Sequence, residues 1–119
     1  KPEHYLSVKI SKHDRLLKKR SVFDFIITDD DTKNALFCVG RLDEDTSGLL
    51  IITNDGKLGS TITLPESEIE KTYDVFLQKP INNVIAKKIS NGVMIKLEEN
   101  GQISEYNTKP CKVILDNVD

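Results

Sequence analysis

Apolar and polar positions alternate along several stretches of this chain, and the period of each stretch predicts an element. From Tyr5 to Ile10 the residues Leu6, Val8 and Ile10 share one face, the period-two pattern of a strand. Ser21 stands where an N-cap would, ahead of Val22-Phe23-Asp24-Phe25-Ile26, and predicts a short helix there. Asp29-Asp30-Asp31 reads as a loop. Leu36 to Val39 is a short apolar strand, Gly40 to Ser47 a loop, and Gly48 to Thr53 a second apolar strand; Asn54-Asp55-Gly56 is a strong turn signal that closes a hairpin. Lys57 to Leu64 fits one or two helical turns stopped by Pro65. Glu70 to Gln78 alternates again, with Tyr73, Val75 and Leu77 together on what should be a core face. Pro80 opens a helix that reaches Asn91-Gly92, and Val93 to Leu97 and Pro110 to Leu115 are strands on either side of the Asn100-Gly101 turn. Strands outnumber helices, so the predicted fold class is α+β: a mixed, largely antiparallel sheet with flanking short helices.

Length and composition narrow the class. At 119 residues and 38% hydrophobic the chain suits one compact domain. The apolar runs are short, as at Leu49 to Ile52, and none approaches the roughly 20 residues of a membrane span. No secretory leader is visible, and Cys38 and Cys111 lack CxxC spacing, so both are expected to be reduced core residues of a cytoplasmic protein. The start at Lys1-Pro2 without Met, and the end directly after an apolar run, predict part of a longer protein.

Net charge is −2, but its distribution is uneven. Residues 1–20 hold seven basic and two acidic side chains, a net of +5, and the remainder nets −7. Lys12, Arg15, Lys18, Lys19 and Arg20 therefore form a basic arm, either a solvated face or a surface that contacts phosphates. His4 and His13 lie in this arm without thiolate or carboxylate ligand neighbours and are expected to be surface residues.

The segment VGRLDEDTSGLLIITNDG, Val39 to Gly56, places carboxylates and an arginine on a loop between apolar strands. Asp43, Asp45, Ser47 and Gly48 fit the first half of a calcium-binding EF-hand loop, but Asn54 occupies the position of its bidentate Glu and the interior is apolar strand. An aspartyl-nucleophile phosphatase would have its first Asp directly after a strand, and here Gly40-Arg41 intervenes. Asp43 or Asp45 would also serve simply as a turn former.

Gly40-Arg41-Leu42-Asp43, Thr46-Ser47-Gly48-Leu49-Leu50-Ile51-Ile52-Thr53 and Asn54-Asp55-Gly56 together resemble the GRLDxxTxGLLLLTNDG motif of pseudouridine synthases of the RsuA family. Lys71-Thr72-Tyr73-Asp74-Val75 is similar to that family's KTYxV motif. Lys1-Pro2 resembles the start of its KPxG segment, with His4 in place of Gly. Gly92-Val93-Met94-Ile95 and Thr108-Lys109-Pro110-Cys111 are similar to a downstream segment. The resemblance covers almost the whole chain. It implies the N-terminal part of a pseudouridine synthase catalytic domain, with the RNA-binding N-terminal module and the C-terminal half, including an active-site arginine, absent.

The implied activity is isomerisation of a specific uridine in ribosomal RNA to pseudouridine, small subunit favoured over large. Asp43 would be the catalytic carboxylate, presented on an exposed loop to a nucleotide taken out of its stack. Arg41 would organise that loop, Tyr73 would stack on the uracil, and Lys71 would contact substrate beside it. Asp45 is read as loop structure. No metal or organic cofactor is expected. The expected partner is ribosomal RNA or a ribosomal assembly intermediate, met by a monomer without membrane attachment. A non-catalytic RNA-binding fragment is the competing expectation.

Overall fold

The computed structural model of the chain describes residues 1–116. Helices and antiparallel strand pairs make it an α+β protein, arranged in two compact units, the first from Lys1 to Thr72 and the second from Tyr73 onward.

The first unit is built on capped helical turns. Helix α1, Lys12–Leu16, starts with a capping box: the Ser11 hydroxyl accepts from the Asp14 amide and the Asp14 carboxylate accepts from the Ser11 amide. Asp14 is held below the usual carboxylate range chiefly by its side-chain hydrogen bond with Ser11. The helix ends in a Schellman arrangement, in which Lys18 donates to the Arg15 carbonyl at 3.0 Å and Lys19 to the Asp14 carbonyl at 2.9 Å. Lys18 takes the left-handed position at φ +53°, where glycine is usual. The helix expected after Ser21 is a 3-10 turn, Val22–Phe25, capped by Ser21 as predicted. Asp29-Asp30-Asp31 is a helix start rather than a loop: Asp29 caps α2, Asp30–Ala35, and Asp30 and Asp31 sit in its first turn, where the helix dipole favours carboxylates.

Strands β1, Phe37–Val39, and β2, Ile51–Thr53, pair antiparallel with Cys38 opposite Ile52. They match the expected strands in place and are shorter. Asn54-Asp55-Gly56 closes no hairpin; the Asp55 side chain accepts from the Leu58 amide at 3.0 Å and caps α3, Gly56–Thr63. This helix packs on β1 at Gly59, where a Cβ would lie 2.8 Å from Phe37 Cε2, so only glycine fits without movement. Leu64 caps α3 at its C-terminus and Pro65 begins a 3-10 turn, as the proline predicts. The expected strand over Tyr5 to Ile10 is reduced to a single parallel bridge between Leu6 and Ser21. Val22, Phe23 and Val39 form the buried apolar centre.

In the second unit α4, Asn83–Ser90, is capped by Asn82 rather than opened by Pro80. Strands β3, Met94–Glu99, and β4, Gln102–Asn107, form a hairpin of six paired positions. Its turn has φ +52° at Asn100 and +76° at Gly101, the type I′ geometry that Asn-Gly favours. The partner of β3 is thus β4, not the expected strand over Pro110 to Leu115, which is irregular through the last described residue. Glu70 to Gln78 also forms no strand: its alternation finds no ladder partner, and Tyr73, Val75 and Leu77 are exposed. The single largely antiparallel sheet expected is two separate two-stranded antiparallel sheets.

Candidate functional site

The loop from residue 40 to 50 joins β1 to β2 and carries Arg41 and Asp43. Gly40 leaves the strand at φ +81°, a turn that a side chain would strain. The Asp43 carbonyl accepts from the Thr46 amide at 3.0 Å, closing a turn with Glu44 and Asp45 at its corner. Asp43 and Arg41 are both exposed, and among the described residues neither takes part in an ion pair. Two positions apart in sequence, they are not joined in space. Arg41 instead borders a cavity of about 310 Å³ walled by Val8, Phe23, Leu36 and Phe37.

The loop is held from the N-terminal segment. Ser7, 5% exposed, grips the residue before Asp43 through one hydroxyl: it donates to the Leu42 carbonyl at 2.7 Å and accepts from the Leu42 amide at 3.0 Å. The Glu44 carbonyl accepts from the His4 amide at 2.7 Å and from Lys1 Nζ at 2.9 Å, and the Lys1 carbonyl accepts from the Gly48 amide at 3.1 Å. Lys19 Nζ donates to Glu44 Oε2 at 2.5 Å. That hydrogen bond is the main reason the Lys19 ammonium is held above its ordinary range. Asp45 lies 3.2 Å from His4 Nδ1, so it is tied to the same segment. None of Lys1, Ser7 and Lys19 is visible as a loop brace in the sequence, because the contacts span 25 to 47 positions.

The basic arm divides by role. Lys12, Arg15 and Lys18 are exposed on and after α1, whereas Lys19 is half-buried against Glu44. Arg20 lies with its guanidinium carbon 4.5 Å from the centre of the Tyr5 ring. Lys71 and Tyr73 are exposed and fall on the two sides of the division between the units. In the second unit, Gly92 at φ +95° approaches Thr108 so closely that a Cβ would sit 2.4 Å from the Thr108 carbonyl oxygen. The Thr108 hydroxyl accepts from the Val93 amide at 2.8 Å, its own amide donates to Val93, and the Cys111 amide donates to Ser90. The two downstream segments picked out by resemblance are therefore joined by backbone contacts.

Both cysteines are free. Cys38 is half-buried in β1, which pushes its thiol pKa up, while Cys111 is exposed rather than a core residue. His4 and His13 are exposed, as expected. Among the described residues there is no cluster of three or more His, Cys, Asp or Glu side chains able to hold a metal, and no helix is long and apolar enough to cross a membrane.

The exposed Asp43 carboxylate thus stands on a braced loop after a glycine turn, and comparison with known proteins supplies the class. The chain belongs to the RNA pseudouridylate synthase family, which it matches over residues 1–114. It is 37% identical over 95 residues to the ribosomal small subunit pseudouridine synthase A of Vibrio vulnificus, a match covering 76% of this chain and 41% of the relative. An uncharacterized RNA pseudouridine synthase of Aquifex aeolicus is 39% identical over 99 residues, covering 83% and 38%, and YtzG of Bacillus subtilis, also described as an uncharacterized RNA pseudouridine synthase, is 36% identical over 95 residues, covering 80% and 36%. The chain thus spans about two fifths of the length of these relatives. No solved structure matches it.

Proposed function

We propose that this chain is the part of a ribosomal RNA pseudouridine synthase that presents the reacting carboxylate, and that the reaction converts one uridine, in small-subunit RNA, to pseudouridine. In that isomerisation the bond between N1 and C1′ breaks and a bond between C5 and C1′ forms. C5 loses a proton and N1 gains one, so no electron donor or acceptor is consumed. A single ionised carboxylate at the sugar or the base is enough to start it. The observation that carries the reading is Asp43: an exposed carboxylate, next to a residue gripped by buried Ser7, in a chain matching the family over residues 1–114. The names of several relatives support the small subunit as substrate.

Tyr73 is the proposed stacking surface for the uracil and Lys71 a further substrate contact; Arg41, free of an intramolecular ion pair among the described residues, is available to a substrate phosphate. Lys12, Arg15 and Lys18 contact the RNA backbone more distantly. Asp45, paired with His4, is structural.

The test is tritium release from 5-tritiated uridine in ribosomal RNA by the complete protein. Asp43→Asn should abolish release while RNA binding and folding persist, and Asp45→Asn should retain it. Full activity in the Asp43 variant would remove the carboxylate from the chemistry. Because the chain spans 41% of the Vibrio vulnificus relative, the same assay on this chain alone distinguishes a catalytic unit from an RNA-binding piece.

A further inference from the structure

The single bridge between Leu6 and Ser21 sets Tyr5 beside Arg20, with the Leu6 amide donating to the Arg20 carbonyl at 2.8 Å and the Val22 amide to the Leu6 carbonyl at 3.0 Å. Ser21 is fully buried; its hydroxyl donates to the Val8 carbonyl and caps the 3-10 turn that carries Phe25 back over Tyr5. Three planar groups are stacked as a result. The Arg20 guanidinium carbon lies 4.5 Å from the Tyr5 ring centre, Arg20 Nη1 donates to the Tyr5 hydroxyl at 3.3 Å, and the Tyr5 and Phe25 rings are 4.9 Å apart, tilted by 37°.

Burial does not account for this stack, since Phe25 remains 59% exposed. Phosphate binding does not account for it either: Arg20 is held over a ring, with a donor given to Tyr5. A guanidinium plane and an open aromatic ring in one place suit the face of a nucleobase.

We infer that Tyr5, Arg20 and Phe25 form a stacking platform for an unpaired RNA base, built from residues outside the Asp43 loop. The inference rests on RNA being the substrate and adds a contact to it. Charge identifies the occupant. Lys12, Arg15 and Lys18, just ahead of Arg20 in the chain, are exposed and outside any ion pair among the described residues, so a polyanion is attracted to this end. An apolar protein surface would cover Phe25 and leave that charge unanswered. A single strand is selected over a duplex because only unpaired bases have faces to offer.

The experiment uses the complete protein and a short oligouridine strand in which one residue at a time is replaced by 2-aminopurine. Stacking on the platform quenches the probe, and one or two positions should show it. Phe25→Ala should remove that quench and weaken binding about 5- to 150-fold, the range found when a base-stacking aromatic is truncated, with Phe25→Tyr close to wild type. Annealing the strand into a duplex should abolish the difference between Phe25→Ala and wild type. An alanine variant that binds and quenches like wild type, or that loses as much affinity for the duplex, overturns the platform while leaving the RNA reading intact. A wild-type protein that leaves oligouridine unbound at low salt also overturns the platform, while the RNA reading stands or falls by tritium release from ribosomal RNA.

Discussion

Replacing Ser7 by alanine tests whether the Asp43 loop is positioned from the N-terminal segment. The hydroxyl makes two hydrogen bonds to the Leu42 backbone, at 2.7 and 3.0 Å, and Ser7 is 5% exposed, so water has little room to replace them. Two neutral hydrogen bonds at about 0.5–1.5 kcal/mol each give a loss of roughly 1–3 kcal/mol, toward the upper end if the orphaned groups stay buried. In a unit of this size each kcal/mol lowers the thermal midpoint by roughly 4–8 °C. Amide exchange at Leu42 should accelerate strongly while Cys38, inside β1, keeps its protection. In the complete protein kcat for tritium release should fall on the order of 10- to 100-fold with KM little changed, since Ser7 bonds only to the loop backbone and slight misplacement of a reacting group is costly. Ser7→Thr, which keeps the hydroxyl, should recover part of the loss. Wild-type exchange at Leu42 together with wild-type kcat in Ser7→Ala would mean that the loop holds its position without this serine.

Gly92→Ala should destabilise the second unit by at least about 1–3 kcal/mol, because a left-handed backbone and a Cβ 2.4 Å from the Thr108 carbonyl must both be accommodated; accelerated amide exchange at Val93 and Thr108 is the readout. Lys19 is raised in pKa by Glu44, so its contribution is complete below the unfolded value near ~10.4 and is lost as pH rises through the higher folded value. Thermal midpoints followed into the alkaline range should therefore show a fall in wild type that Lys19→Met lacks, and parallel curves would rule the pair out as a brace. Charge reversal at Lys12 and Lys18 should flatten the salt dependence of RNA binding by about 0.7 in log–log slope for each phosphate no longer neutralised, whereas Lys19→Met should change the slope less, since Glu44 already engages that ammonium. Equal slopes in all variants would reduce the arm to a solvated face.

What is legible in the chain is local. Ser21 as a cap, Pro65 as a stop and Asn100-Gly101 as a turn each act through neighbours a few residues away, and each stands where predicted. Asp29 and Asp55 carry the same kind of signal but read from sequence as loop and hairpin turn, since Asp serves turns and caps alike until the following helix is known. Alternation at Tyr5 to Ile10 and Glu70 to Gln78 reports which side chains share a face, but a strand exists only with a partner. The pairing that forms is between β3 and β4, whose Asn-Gly turn brings its strands together at once.

The site divides along the same line. Asp43 can be singled out because its motif is contiguous, from Gly40 through Gly56. Its supports cannot, because a serine or a lysine distant in sequence carries no mark of what it will touch. The consequence alters the reading of the basic arm. Seven positive charges among the first twenty residues suggest one electrostatic surface, yet the fold assigns Lys1 and Lys19 to the Glu44 turn and Arg20 to a ring. Charge close in sequence is thereby divided between holding the loop and the proposed contact with nucleic acid, and a substitution in the arm should act on kcat or on the salt slope according to which of these its side chain serves.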